Sequence, residues 1–302
     1  QMHLDPMGTK ILDYLHVGAD INFFLYLVCL FHSYIFSYCY NLILPMTYIH
    51  NINPIMFELF SIKLYWYGFM YALSFIIIDY LIVTASKNKK IILSKDQAEK
   101  FTIVMLIFAI LGGRIGYILF YDPSYYFSNP EKIFYLWEGG MSFHGGLIGV
   151  VVGISYVAQK NALKFFEIAD IICLYAPIGL FFGRVGNFIN SELYGIKTSG
   201  SWGVVFPTID SYPRHPSMLY EALLEGIILF IILFLISKKK FTTGIISGYF
   251  LLLYGIFRFI IEFVRLPDAH IGYIYSDWVT MGQLLTVPML VIGIILINRK
   301  ST

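Results

Sequence analysis

Apolar residues run through this chain in blocks of about 20, separated by shorter polar stretches. Seven blocks, at about 65–84, 101–120, 141–158, 168–189, 217–236, 244–266 and 280–297, have the length of a helix crossing hydrocarbon. Lipid offers no partner for backbone N–H and C=O groups, so uninterrupted runs of this length predict helices and not strands. The predicted fold class is all-α: a polytopic membrane protein with a seven-transmembrane-helix core within residues 51–302. Residues 1–50 form an N-terminal extension in this reading. Its stretch 21-INFFLYLVCLFHSYIFSYCYNLIL-44 predicts one extra hydrophobic helix, the alternative being that Met46 is the natural start and residues 1–45 are upstream sequence. Asp5, Asp13 and Asp20 against a single Lys10 are unlike the basic head of a signal peptide. Val28, before Cys29, is too large for a lipoprotein processing site.

Lysine placement predicts the orientation. The connection 87-KNKKIILSKDQAEK-100 holds five lysines, Lys160 and Lys164 flank the next connection on that side, 238-KKK-240 follows, and Arg299 and Lys300 end the chain. With seven alternating spans these regions share one side. The opposite connections, 121–140, 190–216 and 267–279, carry only Lys132, Lys197 and Arg214. The positive-inside rule therefore puts the C-terminus in the cytoplasm.

Against this apolar background the polar positions stand out. At 1.5 Å per residue from the cytoplasmic ends, Arg114 lies about 20 Å up its span, Arg258 about 21 Å and Arg184 about 24 Å. His144 enters about 5 Å from the outer end of its own span, and Tyr67 also sits at an outer end. Three arginines, a histidine and Asn187 thus share the outer third of the membrane, where a charge costs at least a few kcal/mol unless partnered. In 254-YGIFRFIIEFVR-265 the residues Tyr254, Arg258, Glu262 and Arg265 recur at spacings of four, four and three, which places them on one helical face. A satisfied Arg–Glu pair stitching helices together is the plain alternative. Glu221 and Glu225, also four apart, form a second acidic face. In 139-GGMSFHGGLIG-149 five glycines surround His144, and glycine permits close approach of helices or of a ligand.

Composition narrows the classes. Charged residues are 13% of the chain, about half the roughly 25% of soluble domains. Net charge is +2 with no basic stripe, which argues against nucleic acid as a partner. Cys29, Cys39 and Cys173 are scattered in apolar runs, without a CxxC pair, and read as packing residues. No HExxH, P-loop, rhomboid-type serine motif or metal-spaced acidic repeat occurs, and nothing calls for a metal or cofactor. Arginines at headgroup depth suit a lipid phosphate, which guanidinium binds as a bidentate fork, and a nearby imidazole can move a proton near neutral pH. Phosphate-ester chemistry on a lipid is the leading class; a lipid or small-anion transporter is the alternative, though it should show paired halves with broken midplane helices.

The blocks 66-WYGFMY-71, 112-GGRIGYILFY-121, 137-WEGGMSFHGGLIG-149, 183-GRVGNFINSELYG-195, 214-RHPSMLYEALLEG-226, 254-YGIFRFIIEFVRLPDA-269 and 281-MGQLLTVPM-289 together resemble the prolipoprotein diacylglyceryl transferase family. The resemblance covers about residues 55–297. It implies a multi-pass enzyme of the bacterial cytoplasmic membrane, its active site toward the outer leaflet. The implied reaction moves the diacylglyceryl group of phosphatidylglycerol onto the lipobox cysteine thiol of a prolipoprotein, forming a thioether and releasing glycerol phosphate. Phosphatidylglycerol, the prolipoprotein signal peptide and the bilayer are the implied partners. By the same resemblance, His144, Arg184, Arg258 and Tyr67 are the catalytic candidates. Arg184, Asn187, Glu192, Gly195, Tyr254, Glu262 and Arg114 are the candidates for phosphatidylglycerol binding, while Gly139, Gly145 and His215 match motifs without an assigned role. The loop 196–213 is short, and its Trp202, Phe206 and Pro207 are expected at the membrane interface.

Overall fold

The computed structural model describes residues 47–299 apart from 61, 240–241, 268–271 and 277; the extra helix expected at 21–44 lies outside the described residues. Each of the seven apolar blocks is helical: α1 (Trp66–Lys87), α2 (Lys95–Phe120), α3 (Phe143–Lys160), α4 (Phe165–Ile189), α5 (Ser217–Ser237), α6 (Ile245–Ile261) and α7 (Met281–Ile297). Among the described residues, α1, α2, α4 and α5 are long and apolar enough to cross a membrane, while α6 and α7 are shorter apolar helices. The polytopic, mainly helical architecture matches the hydropathy pattern.

Local chemistry explains where the ends differ from the predicted ones. Helix α2 starts six residues earlier than the apolar run, because Ser94 and Gln97 form a reciprocal capping box in the polar connection. Helix α6 stops at Ile261, not at 266. Beyond it the chain turns so that Ile196 N–H bonds Val264 C=O and Leu266 N–H bonds Tyr194 C=O. The middle of α5, Ala222–Ile228, is π-helical, a local widening often found where helices carry function.

Helix α4 is the hub, packing against α1, α3, α5 and α6, and supplies Ile168, Ile178, Phe181, Phe182 and Val185 to the main core. Helices α2 and α3 meet along glycines. A Cβ on Gly112 would strike Gly145 C=O and lie 2.7 Å from Gly149 Cα, and one on Gly145 would lie 2.9 Å from Gly116 Cα. That is the small-residue seam by which membrane helices approach closely. Of the glycines around His144, Gly145 and Gly149 therefore serve helix packing.

Short strands, absent from the all-α expectation, organise the connections at one end. Tyr48–Ile49 pairs in parallel with Val204–Val205, which pairs antiparallel with Pro213–Arg214. Two hairpins, Ile55–Leu59 with Ile62–Tyr65 and Tyr273–Tyr275 with Val279–Thr280, lead into α1 and α7. Phe206, expected at the membrane interface, is instead fully buried with Phe188, Val204 and Met218, whereas Trp202 is exposed. The lysine-bearing connections lie at the other end. There Gln97 bonds Asn161 at 2.7 Å, and Asp170 of α4 accepts from Gly244 N, Ser247 N and Ser247 Oγ at the start of α6.

Candidate functional site

Helices α4, α5 and α6 bring their charged positions together near the end that carries the small strands. Arg184 sits five residues before the end of α4, Glu221 and Glu225 lie in the first half of α5, and Arg258 lies in the last turn of α6. Glu221 holds both guanidiniums: Arg184 Nε lies 2.6 Å from Oε2 and Arg258 Nη1 lies 2.6 Å from Oε1. Glu225 stands 3.9 Å from each arginine. Arg258 also reaches Glu262 at 2.5 Å, which in turn takes Arg265 at 3.2 Å and the Thr280 hydroxyl at 2.5 Å. Three guanidiniums thus face three carboxylates, the compensation that lets such charges sit away from water.

The cluster is graded in openness. Both α5 carboxylates are fully buried, Arg258 is 11% exposed in its side chain and Arg184 is 18% exposed. Arg184 also has a weak contact from Nη1 to Asn187 Oδ1 at 3.4 Å. Asn187 donates Nδ2 to Glu192 at 2.9 Å, and Asn190 donates to the other Glu192 oxygen at 3.2 Å. Tyr67 lies beside Asn187 and packs on Gly186, where a Cβ would sit 2.7 Å from its ring. Its hydroxyl is 3.2 Å from that of Tyr71. Tyr254, one turn before Arg258, lies beside Glu225 and Arg258. Arg184, Asn187, Glu192, Tyr67, Tyr254, Arg258 and Glu262 therefore form one contiguous set.

Three expected residues stand differently. Arg114 is buried, and its guanidinium donates to the carbonyls of Ile133, Gly139, Gly140, Lys132 and Tyr135 at 2.5–3.3 Å. Its donors are engaged in organising the 132–140 connection, which leaves little to offer an anion. Gly139 and Gly140 adopt φ of +82° and +80°, so the two glycines suit the turn that wraps it. Gly195 donates to His215 C=O and accepts from Arg214, and a Cβ there would strike Val264 C=O and lie 2.7 Å from His215 Cβ. It is a close crossing of backbones. His144 is the second residue of α3, its ring exposed and 5.7 Å edge-on from Phe143; among the described residues no hydrogen bond joins it to the arginine cluster.

Nearby, His215 Nδ1 is 3.2 Å from the Tyr220 hydroxyl, and burial lowers its pKa. Glu221 and Glu225 have no site role in the sequence-based expectation, although their spacing of four puts them on one face; α5 turns that face onto both arginines.

The prolipoprotein diacylglyceryl transferase family profile matches residues 54–299. A phosphatidylglycerol–prolipoprotein diacylglyceryl transferase of Nitratidesulfovibrio vulgaris is 46% identical over 248 residues, 82% of this chain and 94% of the relative. Proteins of the same name from Geobacter sulfurreducens and Francisella tularensis are each 45% identical. They cover 83% and 82% of this chain and 97% and 92% of their own lengths.

Proposed function

The chain belongs to the prolipoprotein diacylglyceryl transferase family, and from that premise we propose that it transfers the diacylglyceryl group of phosphatidylglycerol to the lipobox cysteine of a prolipoprotein. The observation that carries this reading is the paired guanidiniums held by Glu221, one of them partly open, at the end of three apolar helices. In the reaction, the peptide thiol gives up its proton and the sulfur attacks the glyceryl carbon bearing the phosphodiester. The C–S bond forms as the C–O bond breaks, and glycerol phosphate departs.

Each residue's part follows from its position. Arg184, the more open guanidinium, meets the lipid phosphate and neutralises the charge that grows on it as it leaves. Arg258, gripped by Glu221 and Glu262, keeps the cluster assembled and adds positive potential behind Arg184. Asn187 and Glu192 present a hydrogen-bonding edge to the glycerol hydroxyls, with Tyr67 beside them and Tyr254 lining the floor. His144, whose ring is exposed at its helix start, takes the thiol proton; a free thiol near pKa 8.5 is a poor nucleophile until this happens. Arg114 and Gly195 support the reaction by shaping the 132–140 connection and the strand crossing. No cofactor enters this scheme.

The same reading orients the molecule. Seven spans in residues 51–302, in the bacterial cytoplasmic membrane, would put the arginine cluster in the outer leaflet and the lysine-bearing connections and C-terminus in the cytoplasm. The signal peptide of the prolipoprotein would approach from the bilayer.

The test uses the purified chain, vesicles containing phosphatidylglycerol and a lipobox peptide, with the peptide's mass followed. A gain equal to one diacylglyceryl group supports transfer; its absence, with the protein folded and the lipid present, overturns it. A His144→Gln protein retaining full activity would remove the base assignment alone.

A further inference from the structure

One buried imidazole has no part in the chemistry above. His50 precedes α1 and is only 5% exposed. Its backbone N–H bonds Val205 C=O at 2.8 Å, which extends the Tyr48–Ile49 strand pairing by one residue. The ring lies edge-on to Phe188, centroids 5.0 Å apart, and 5.3 Å from Phe206. Nδ1 is 3.2 Å from Ser191 Oγ, while Nε2 is buried without a hydrogen-bond partner.

What His50 touches is a strained turn. Ser191 and Leu193 both adopt left-handed backbone, φ +58° and +56°, on either side of Glu192. Non-glycine residues hold such angles only where their surroundings over-determine them. Two side chains do so here: His50 bonds Ser191, and the Ser217 hydroxyl donates to Leu193 C=O at 2.8 Å. Glu192, fixed between these supports, turns back so that its N–H bonds Asn187 C=O at 2.9 Å and its carboxylate meets Asn187 and Asn190.

We propose that His50 is a positioning residue, a neutral imidazole whose Nδ1 accepts from the Ser191 hydroxyl, holds the Ser191–Leu193 turn and so keeps Glu192 against Asn187, and that protonation, by removing that acceptor, releases it. The inference rests on the reading of Asn187 and Glu192 as part of the substrate site. Burial lowers the His50 pKa and outweighs the interactions of the ring with the Phe188 and His50 backbones, which favour the charged form. The side chains around the ring are mostly apolar, and this burial disfavours the added proton. From the end of α4 come Phe188, Ser191 and Glu192, whose carboxylate is engaged with two asparagines. The central strand brings Val205 and Phe206, and α5 brings Met218. Tyr48 and Tyr194 are the titratable residues at the edge of this cluster, and Arg214, on the third strand, stacks on Tyr194 and pairs with Asp210. The folded state therefore favours the neutral ring, and its support for the turn is present above the ordinary histidine range and is lost as pH falls toward the lowered value.

The test reads the turn and the reaction separately in the full chain. In wild type, hydrogen-exchange protection of residues 191–194 should fall between pH 7.5 and 5.5; in His50→Phe it should already be reduced and should not change with pH. At pH 7.5 His50→Phe should lower kcat about tenfold, equal to about 1.4 kcal/mol. His50→Asn, which places an amide near the Nδ1 position, should restore most of it, and Ser191→Ala should match His50→Phe with no added loss in the double variant. Should His50→Phe fail to fold, Ser191→Ala and His50→Asn carry the same comparison. Full kcat in folded His50→Phe or Ser191→Ala, or pH-independent protection of the turn in wild type, overturns the proposal. Absence of transfer by wild type with a pH-sensitive turn would instead overturn the functional reading and leave the positioning role standing.

Discussion

Glu221 Oε2 lies 2.6 Å from Arg184 Nε, and the opposite oxygen of the same buried carboxylate lies 2.6 Å from Arg258 Nη1. One side chain of α5 therefore joins α4 to α6 and sets the spacing of two guanidiniums that would otherwise repel. Loss of that charge leaves both arginines poorly compensated. Removing one partner of a buried pair typically costs about 3–5 kcal/mol. Glu221→Gln should lower both thermal stability and transfer, the latter by at least ~100-fold, about 2.7 kcal/mol. Thermal unfolding in detergent and the peptide mass assay check the two effects together; retention of both would mean that the bridge has no role.

Arg184 and Arg258 should respond differently to lysine. Lysine keeps the charge but loses the planar fork. Arg184→Lys should leave the fold intact and reduce kcat about 100-fold, the scale of losing one donor to a developing oxyanion. Arg258→Lys breaks the simultaneous grip on Glu221 and Glu262, so its unfolding temperature should fall as well. Kinetics and melting curves of the two variants, compared side by side, separate substrate contact from scaffold.

Arg114 should behave as a scaffold residue. Its five carbonyl contacts organise the 132–140 connection. Hydrogen bonds to a charged group each contribute about 1.5–3 kcal/mol, so Arg114→Lys should destabilise the protein by a few kcal/mol. Raising phosphatidylglycerol should not rescue it. A variant of normal stability with a raised KM for lipid would restore Arg114 to the binding site.

Gly282, at the start of α7, touches the site through what it lacks. A Cβ there would sit 2.5 Å from the Glu262 carboxylate carbon. Gly282→Ala should push Glu262 off Arg258 and Thr280 and lower kcat toward that of Glu262→Gln. Equal activity of Gly282→Ala and wild type would show that Glu262 can shift without consequence.

Asp170 offers the opposite pattern. It accepts three hydrogen bonds at the start of α6, at the end of the bundle away from the arginine cluster. Asp170→Ala should cost about 1–2 kcal/mol, as loss of a helix cap does, with kcat nearly unchanged once folded. A large drop in kcat in a protein of normal stability would require coupling along α4 that the contacts do not suggest.

Much of this molecule is written in its periodicity. The seven apolar blocks are helical, as any of them that crosses hydrocarbon must be, and residues four apart, such as Arg258 and Glu262, had to share a face. The Ser94–Gln97 cap is also local and readable in principle, yet it lies outside the apolar run, so hydropathy alone starts α2 six residues too late.

What a helix period cannot supply is the neighbour that a face meets. Arg114 and Arg184 stand six and five residues before the ends of their helices, but one turns into a loop of carbonyls and the other onto Glu221, a difference of azimuth and packing. Gly145 and Gly149, near His144, could have faced a ligand or a helix, and only the packing of α2 on α3 decided for the helix. His50 and Ser191 are 141 residues apart in the chain, so their contact exists only once strands and helix ends are assembled. Residue type and spacing determined which segments form apolar helices and which side chains carry charge within them. Tertiary packing decided which charges meet, because direction around a helix axis acquires chemical meaning only when a second helix lies beside it.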